Sequence, residues 1–231
     1  MSEVQLQMNY EDMLRAGMHF GRKKTVFNPK MSKYVFTVKE GICILDLLKT
    51  QAELKQATEY LKKILTDGGL VLFVGITKQS VDGIKSLAET LGMPYVLDRW
   101  IGGTLTNFKV ISGRVKMMEE MEKKQGSGEL DKYTKKERLL FERELKKMQE
   151  RFGGLRKLIR LSDVVFVSSL KESSLPVRES RRMKIPIVAI ANTDSDPDDV
   201  QYVIPANDRS KKSIDLIIEA LKNELSHESR T

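Results

Sequence analysis

Arg99-Trp100-Ile101-Gly102-Gly103-Thr104-Leu105-Thr106-Asn107-Phe108 divides the chain into two kinds of sequence. Before it, strand and helix patterns alternate; after it comes a long charged helical stretch, and then the alternation resumes. The segment holds the only tryptophan of the 231 residues, a glycine pair, and a close of hydroxyl and amide side chains. Gly102 and Gly103 are free to adopt φ > 0, Thr104 follows them, and Thr106 or Asn107 is placed to cap the next helix. Two readings stand. The segment is an elbow between a strand and a helix, or an elbow that also aims a projecting arm at a partner.

Working upstream, Pro94-Tyr95-Val96-Leu97 is the strand that delivers the chain to this elbow. Leu70-Val71-Leu72-Phe73-Val74 is almost wholly apolar, as a strand covered on both faces in a parallel sheet must be. Between them Val81, Ile84, Leu87, Ala88 and Leu91 make one helical face, with Thr77 as a candidate cap and Gly92 as the stop. Strand, helix, strand with short links is a βαβ unit, whose crossover is right-handed. Earlier still, Thr50-Gln51-Ala52-Glu53 has the form of a capping box ahead of a helix with Leu54, Ala57, Leu61, Ile64 and Leu65 on one face. Tyr34-Val35-Phe36-Thr37-Val38 and Ile42-Cys43-Ile44-Leu45-Asp46 flank Lys39-Glu40-Gly41 and predict a hairpin. A short helix is predicted over 9–17.

Downstream, Asp163-Val164-Val165-Phe166-Val167 and Ile185-Pro186-Ile187-Val188-Ala189-Ile190 are two more buried strands. A helix bearing Arg178, Arg181 and Arg182 lies between them. Tyr202-Val203-Ile204-Pro205 is a short last strand, and Asn207 or Asp208 is expected to cap a final helix through Ile214, Ile217, Ile218 and Leu221.

The interrupting stretch has its own logic. Phe108, Ile111, Val115 and Met118 are spaced three, four, three; Phe141, Leu145, Met148, Phe152 and Leu155 continue the same heptad rhythm. Gln125-Gly126-Ser127-Gly128-Glu129 breaks the pattern, and Thr134-Lys135-Lys136-Glu137 is a second capping box. The simplest object with these features is an antiparallel helical hairpin of roughly 25 Å. This divides the chain into an α/β core of residues 1–107 and 152–231 and an inserted hairpin of residues 108–151.

Charge suggests what the hairpin is for. The chain carries 40 basic against 32 acidic residues, a net +8. Residues 109–160 hold 16 basic against 9 acidic, so nearly the whole surplus lies there. A mixed-charge helix is ordinarily a solvated face; a surplus so concentrated favours contact with phosphates. The candidates are Lys109, Arg114, Lys135, Lys136, Arg143 and Lys147, with Arg99, Trp100 and Asn107 at the elbow. A second basic stretch, His19-Phe20-Gly21-Arg22-Lys23-Lys24-Thr25-Val26-Phe27-Asn28-Pro29-Lys30, interleaves cations with two phenylalanines and has no acid. It adds Arg22, Lys23, Lys24, Lys30 and the nearby Lys33 as candidate RNA contacts, since cations meet phosphates while rings pack or stack. The alternative is a solvated loop with its rings in the core.

Catalytic chemistry is thin. The sequence has no G-x-x-x-x-G-K-[ST] phosphate loop and no G-x-G-x-x-G after a strand. Gly75-Ile76-Thr77-Lys78 offers a helix N-terminus able to hold one phosphate weakly. There are two histidines and one cysteine; His19 reads as a packing residue, His227 lies in a polar tail, and Cys43 sits in an apolar run as a structural thiol. Asp194, Asp196 and Asp198 mimic the first ligands of a calcium loop, but Asp199 and Pro205 stand where its glycine and glutamate belong. No metal, cofactor or catalytic residue is expected. Met1-Ser2-Glu3-Val4-Gln5 lacks the layout of a signal peptide, which sets the expectation of a soluble cytoplasmic protein.

Five stretches occur in a telling order. They are Ala16-Gly17-Met18-His19-Phe20-Gly21, Asn28-Pro29-Lys30-Met31, Ile44-Leu45-Asp46-Leu47-Leu48-Lys49-Thr50, the elbow, and Ile204-Pro205-Ala206-Asn207-Asp208. Together they closely resemble the bacterial small-subunit ribosomal protein S-two family, over nearly the whole chain. The resemblance implies a flavodoxin-like, three-layer α/β core with a mostly parallel sheet and an inserted coiled-coil hairpin. It implies a cytoplasmic place on the ribosome: a structural constituent of the small subunit, bound to its rRNA and to neighbouring proteins. It further implies support for attaching the mRNA-capturing protein S-one, and no enzymatic activity. Members often carry histidine at the position of Arg22 and acids at those of Asn192 and Arg209, so the divalent ion of some relatives is not expected here. Two other classes compete, a nucleotide-binding doubly wound enzyme and a coiled-coil protein adaptor.

Overall fold

The computed structural model describes residues 8–127 and 129–226. The N-terminal residues that lack a signal layout, Gly128 in the interhelical break, and His227 lie outside them. The chain opens with α1 (Tyr10–Arg15), which is capped by Asn9, and β1 (Phe20–Lys23). Then come β2 (Val35–Lys39), β3 (Ile42–Leu45), α2 (Leu47–Thr66), β4 (Val71–Val74), α3 (Val81–Leu91) and β5 (Tyr95–Val96). After the elbow follow α4 (Phe108–Gly126) and α5 (Lys135–Phe152). The chain closes with β6 (Val164–Val167), α6 (Ser174–Arg182), β7 (Ile187–Ala191), β8 (Tyr202–Pro205) and α7 (Lys211–Ser226).

The large sheet has the order β5-β4-β6-β7-β8, and each neighbouring pair is parallel. Numbered from its first strand, this is 2-1-3-4-5, a doubly wound order whose switch point lies between β4 and β6. Every residue of β4, β6 and β7 is buried, which explains why these strands read as unbroken apolar runs: both faces are covered. Along β4 the side chains alternate between two cores. Val71 and Phe73 join α2, α3 and α7 on one side. Leu72 and Val74 join Trp100, Leu105, the apolar stripes of α4 and α5, and Val177 of α6 on the other. The α/β class is therefore as expected.

A second, antiparallel sheet of order β1-β3-β2 stands apart from this one. The hairpin between β2 and β3 turns through Glu40 and Gly41, both with positive φ. β1 lies in the basic stretch whose alternative reading is a solvated loop; it pairs with β3, Phe20 opposite Ile44 and Lys23 opposite Ile42. Late residues hold this N-terminal region in place. Asn207 Nδ2 donates to the Gly17 carbonyl at 3.0 Å, Ser210 Oγ to the Ala16 carbonyl at 2.8 Å, and the Asn28 N–H to the Thr193 carbonyl.

Several expected caps differ. Thr77 does not cap α3, which begins at Val81 behind Ser80 with no side-chain cap. α2 starts at Leu47 under Asp46, whose carboxylate accepts from the Leu48 N–H. Thr50 is inside the helix, and its buried hydroxyl donates to the Pro205 carbonyl at 2.6 Å, tying α2 to the end of β8. Asn207 and Asp208 do not cap α7; Ser210 accepts from the Ser213 N–H there, while Asp208 is buried in the contacts described below. The capping box at Thr134 and Glu137 forms as read, both halves present.

Candidate nucleic-acid interface

The elbow is organised by a residue that its own sequence does not contain. Glu179, on α6, receives the indole N–H of Trp100 at 3.0 Å and the backbone N–H groups of Gly103 at 2.8 Å and Leu105 at 3.0 Å. Thr106 donates to it through both backbone and hydroxyl, each at 3.2 Å. Burial alone would raise the carboxyl's pKa; these donors outweigh it and hold the group below its ordinary value. Gly103 needs its freedom, with φ at +92°. Gly102 does not: its φ is not positive, and a Cβ there would meet open space. Thr104 is buried and donates to the Ile101 carbonyl at 2.6 Å. Asn107 precedes α4 without a side-chain cap. Sequence reasoning missed Glu179 because its partners lie more than seventy positions away and no local pattern marks it.

Several expected RNA contacts are occupied within the fold. Trp100 is 4 % exposed, and its single donor is committed to Glu179, so it fixes the elbow and offers nothing to a phosphate. Arg22 has a side chain only 14 % exposed and lies between Asp194 at 3.4 Å and Asp208 at 3.2 Å. Asp208 is buried further by Ser169 Oγ at 2.6 Å and Asn192 Nδ2 at 3.0 Å. Lys30 bridges Asp196 and Asp198, both at 2.8 Å, which raises its pKa above the ordinary lysine range. The acidic loop thus faces the protein's own cations. Among the described residues no group of three His, Cys, Asp or Glu side chains is placed to hold a metal ion. Lys33 lies 4.8 Å from the centre of the Tyr34 ring. His19 packs on Phe20, and burial lowers its pKa; Cys43 is buried, and desolvation raises its thiol.

The remaining candidates are exposed: Lys23, Lys24, Arg99, Lys109, Arg114, Lys135, Lys136, Arg143 and Lys147. None is ion-paired with a described residue. Lys135 and Lys136 stand in the first turn of α5, where the helix dipole disfavours positive charge. Of the predicted set, the structure brings Arg114, Arg143 and Lys147 together. With Arg151, which sequence reasoning passed over, they line a groove of about 800 Å³ between α4 and α5, along with Leu140, Glu144, Met148 and Phe152. Glu122 of α4 accepts from Gln149 Nε2 of α5 at 2.6 Å and from Arg156 beyond it.

A doubly wound α/β fold whose polar chemistry goes into bracing an elbow, and whose charge surplus is cationic, is that of a binding and scaffolding protein. Residues 13–227 match the model of the family described as ribosomal protein S2. The chain is 43 % identical over 213 residues to the small ribosomal subunit protein uS2 of Thermus thermophilus, covering 92 % of this chain and 83 % of that one. The same protein from Fusobacterium nucleatum is 43 % identical over 217 residues, covering 94 % and 88 %. The chain belongs to the ribosomal protein S2 family: it is a structural ribosomal protein and not an enzyme, and its place is the ribosome, in the cytoplasm.

Proposed function

We propose that the protein is a structural constituent of the small ribosomal subunit, held to its rRNA chiefly by the cations of α4 and α5. Residues 108–151 act in this reading as an inserted coiled-coil hairpin on an α/β core of 1–107 and 152–231, presented at a fixed angle by the elbow. One observation carries it: the chain's charge surplus falls in residues 109–160, and its groove-lining members have no ionic partner among the described residues. The RNA contacts are Lys23, Lys24, Arg99, Lys109, Arg114, Lys135, Lys136, Arg143 and Lys147, with Asn107 and Lys33 beside them. Arg22, Lys30 and Trp100 serve the fold instead.

Support for the mRNA-capturing protein S-one belongs to the same reading and rests on the family resemblance. The test is co-sedimentation with small subunits across a salt series. Duplex contacts give a log–log slope of about −0.9 per phosphate neutralised, so several contacts make binding steeply salt-dependent. A flat salt response refutes the electrostatic account.

A further inference from the structure

The groove between α4 and α5 has more structure than a basic surface requires. Arg143, Lys147 and Arg151 recur every fourth residue on α5, about 6 Å apart along its axis. Arg114 faces them from α4, and Glu144 is the single acid in the lining. Met148 and Phe152 form an apolar floor that is already buried. Leu140 is different: it is 54 % exposed, an apolar side chain standing at the mouth of a cationic channel.

We infer that this groove takes an unpaired RNA strand, phosphates against Arg114, Arg143, Lys147 and Arg151, with a ribose or base face against Leu140. The inference rests on the proposed rRNA binding and adds the kind of RNA recognised. The cations come from two helices, so an entering backbone is gripped from both sides. A single strand is narrow enough for that, and it carries uncovered base and sugar faces that a duplex keeps inside. An acidic amphipathic helix would also match the charge. Such a helix needs a row of apolar anchor points at i, i+4 and i+7, and the groove leaves only Leu140 exposed.

The test uses the full chain and three probes: small-subunit rRNA, a short unpaired oligouridine, and a fully paired RNA hairpin of equal charge. Four contacts on a single strand give a salt slope near −2.8, at about −0.7 each. Arg143→Gln with Lys147→Gln and Arg151→Gln is expected to lower the oligouridine slope by about 2. Leu140→Ser, at an exposed position, is expected to weaken oligouridine several-fold with the slope unchanged. Lys55→Gln with Lys63→Gln, exposed on α2 and outside the groove, is expected to leave oligouridine binding and its salt slope unchanged. Circular dichroism confirms that each variant is folded. Equal binding of the paired hairpin with equal losses in the groove variants overturns the inference, as do groove variants that bind oligouridine like the parent. Displacement by an acidic helical peptide but not by RNA assigns the groove to a protein and overturns it too. If the unaltered chain fails to bind small-subunit rRNA, the parent reading falls and this one with it.

Discussion

Replacing Glu179 tests whether the elbow is held from outside itself. Three of its donors, the Trp100 indole N–H and the Gly103 and Leu105 amides, sit in the part-buried interior of the turn. The two from Thr106 are exposed and can turn to water. Orphaning a buried donor costs about 1–3 kcal/mol. Counting three donors at the lower end of that range, Glu179→Ala is expected to cost about 3–4 kcal/mol. For a chain of this size that lowers Tm by roughly 6–16 °C. Glu179→Gln keeps the shape but turns one acceptor into a donor facing N–H groups, so about half the loss is expected. The assay is urea unfolding followed by the fluorescence of Trp100, the only tryptophan, beside circular dichroism for the whole fold. pH supplies a second reading. The folded carboxyl's pKa is lowered from 4.5, so its contribution is fully present above that value and lost as pH falls through the lower folded pKa. The difference between the parent and Glu179→Gln should therefore hold at neutral pH and shrink below about pH 4.5. A loss under 0.5 kcal/mol for Glu179→Ala, roughly the scatter of surface substitutions, would refute the claim that Glu179 braces the elbow.

Three further outcomes are expected. Gly103→Ala should cost about 1–3 kcal/mol from its positive φ and Gly102→Ala close to nothing, compared by denaturant midpoints; equal effects would place the strain elsewhere. Arg22→Ala leaves Asp208 buried without its cation and should cost about 3–5 kcal/mol, whereas Lys30→Ala, at a solvent-exposed pair, should shift the denaturant midpoint far less. Excising residues 108–151 through a short glycine link should leave a core that unfolds cooperatively, though less stably because the stripes of α4 and α5 share its apolar cluster; a collapsed product refutes the proposed division.

The parts of the fold legible in the sequence were those that obey local rules. β4, β6 and β7 declared themselves because a strand covered on both faces has little room for polar residues. Thr134 and Glu137 were read correctly because the capping box closes within four residues. The same pattern at Thr50 misled: Asp46 is a competent cap one turn earlier, and the carbonyl of Pro205, 155 positions away, claims the threonine hydroxyl. β1 hid because it is only four residues long and two of those are cations. The same limit applies to the candidate site. Charge density pointed to Arg114, Arg143 and Lys147, but Trp100 and Arg22 carry the right chemistry for RNA and have internal partners. Only the tertiary structure shows which cations already have an acid.

The latch between the two ends of the chain also sets a timetable. Gly17 waits for Asn207, 190 positions later, and Arg22 for Asp208, 186 positions later. At a synthesis rate of about 5–20 residues per second, that interval is roughly 10–40 s. During it the basic segment around Lys23 and Lys24 has left the site of synthesis without the carboxylates that later cover its neighbour. Until Asp194 and then Asp208 have been made, Arg22 lacks the two carboxylates that hold it in the folded protein, and its charge is open to any polyanion nearby.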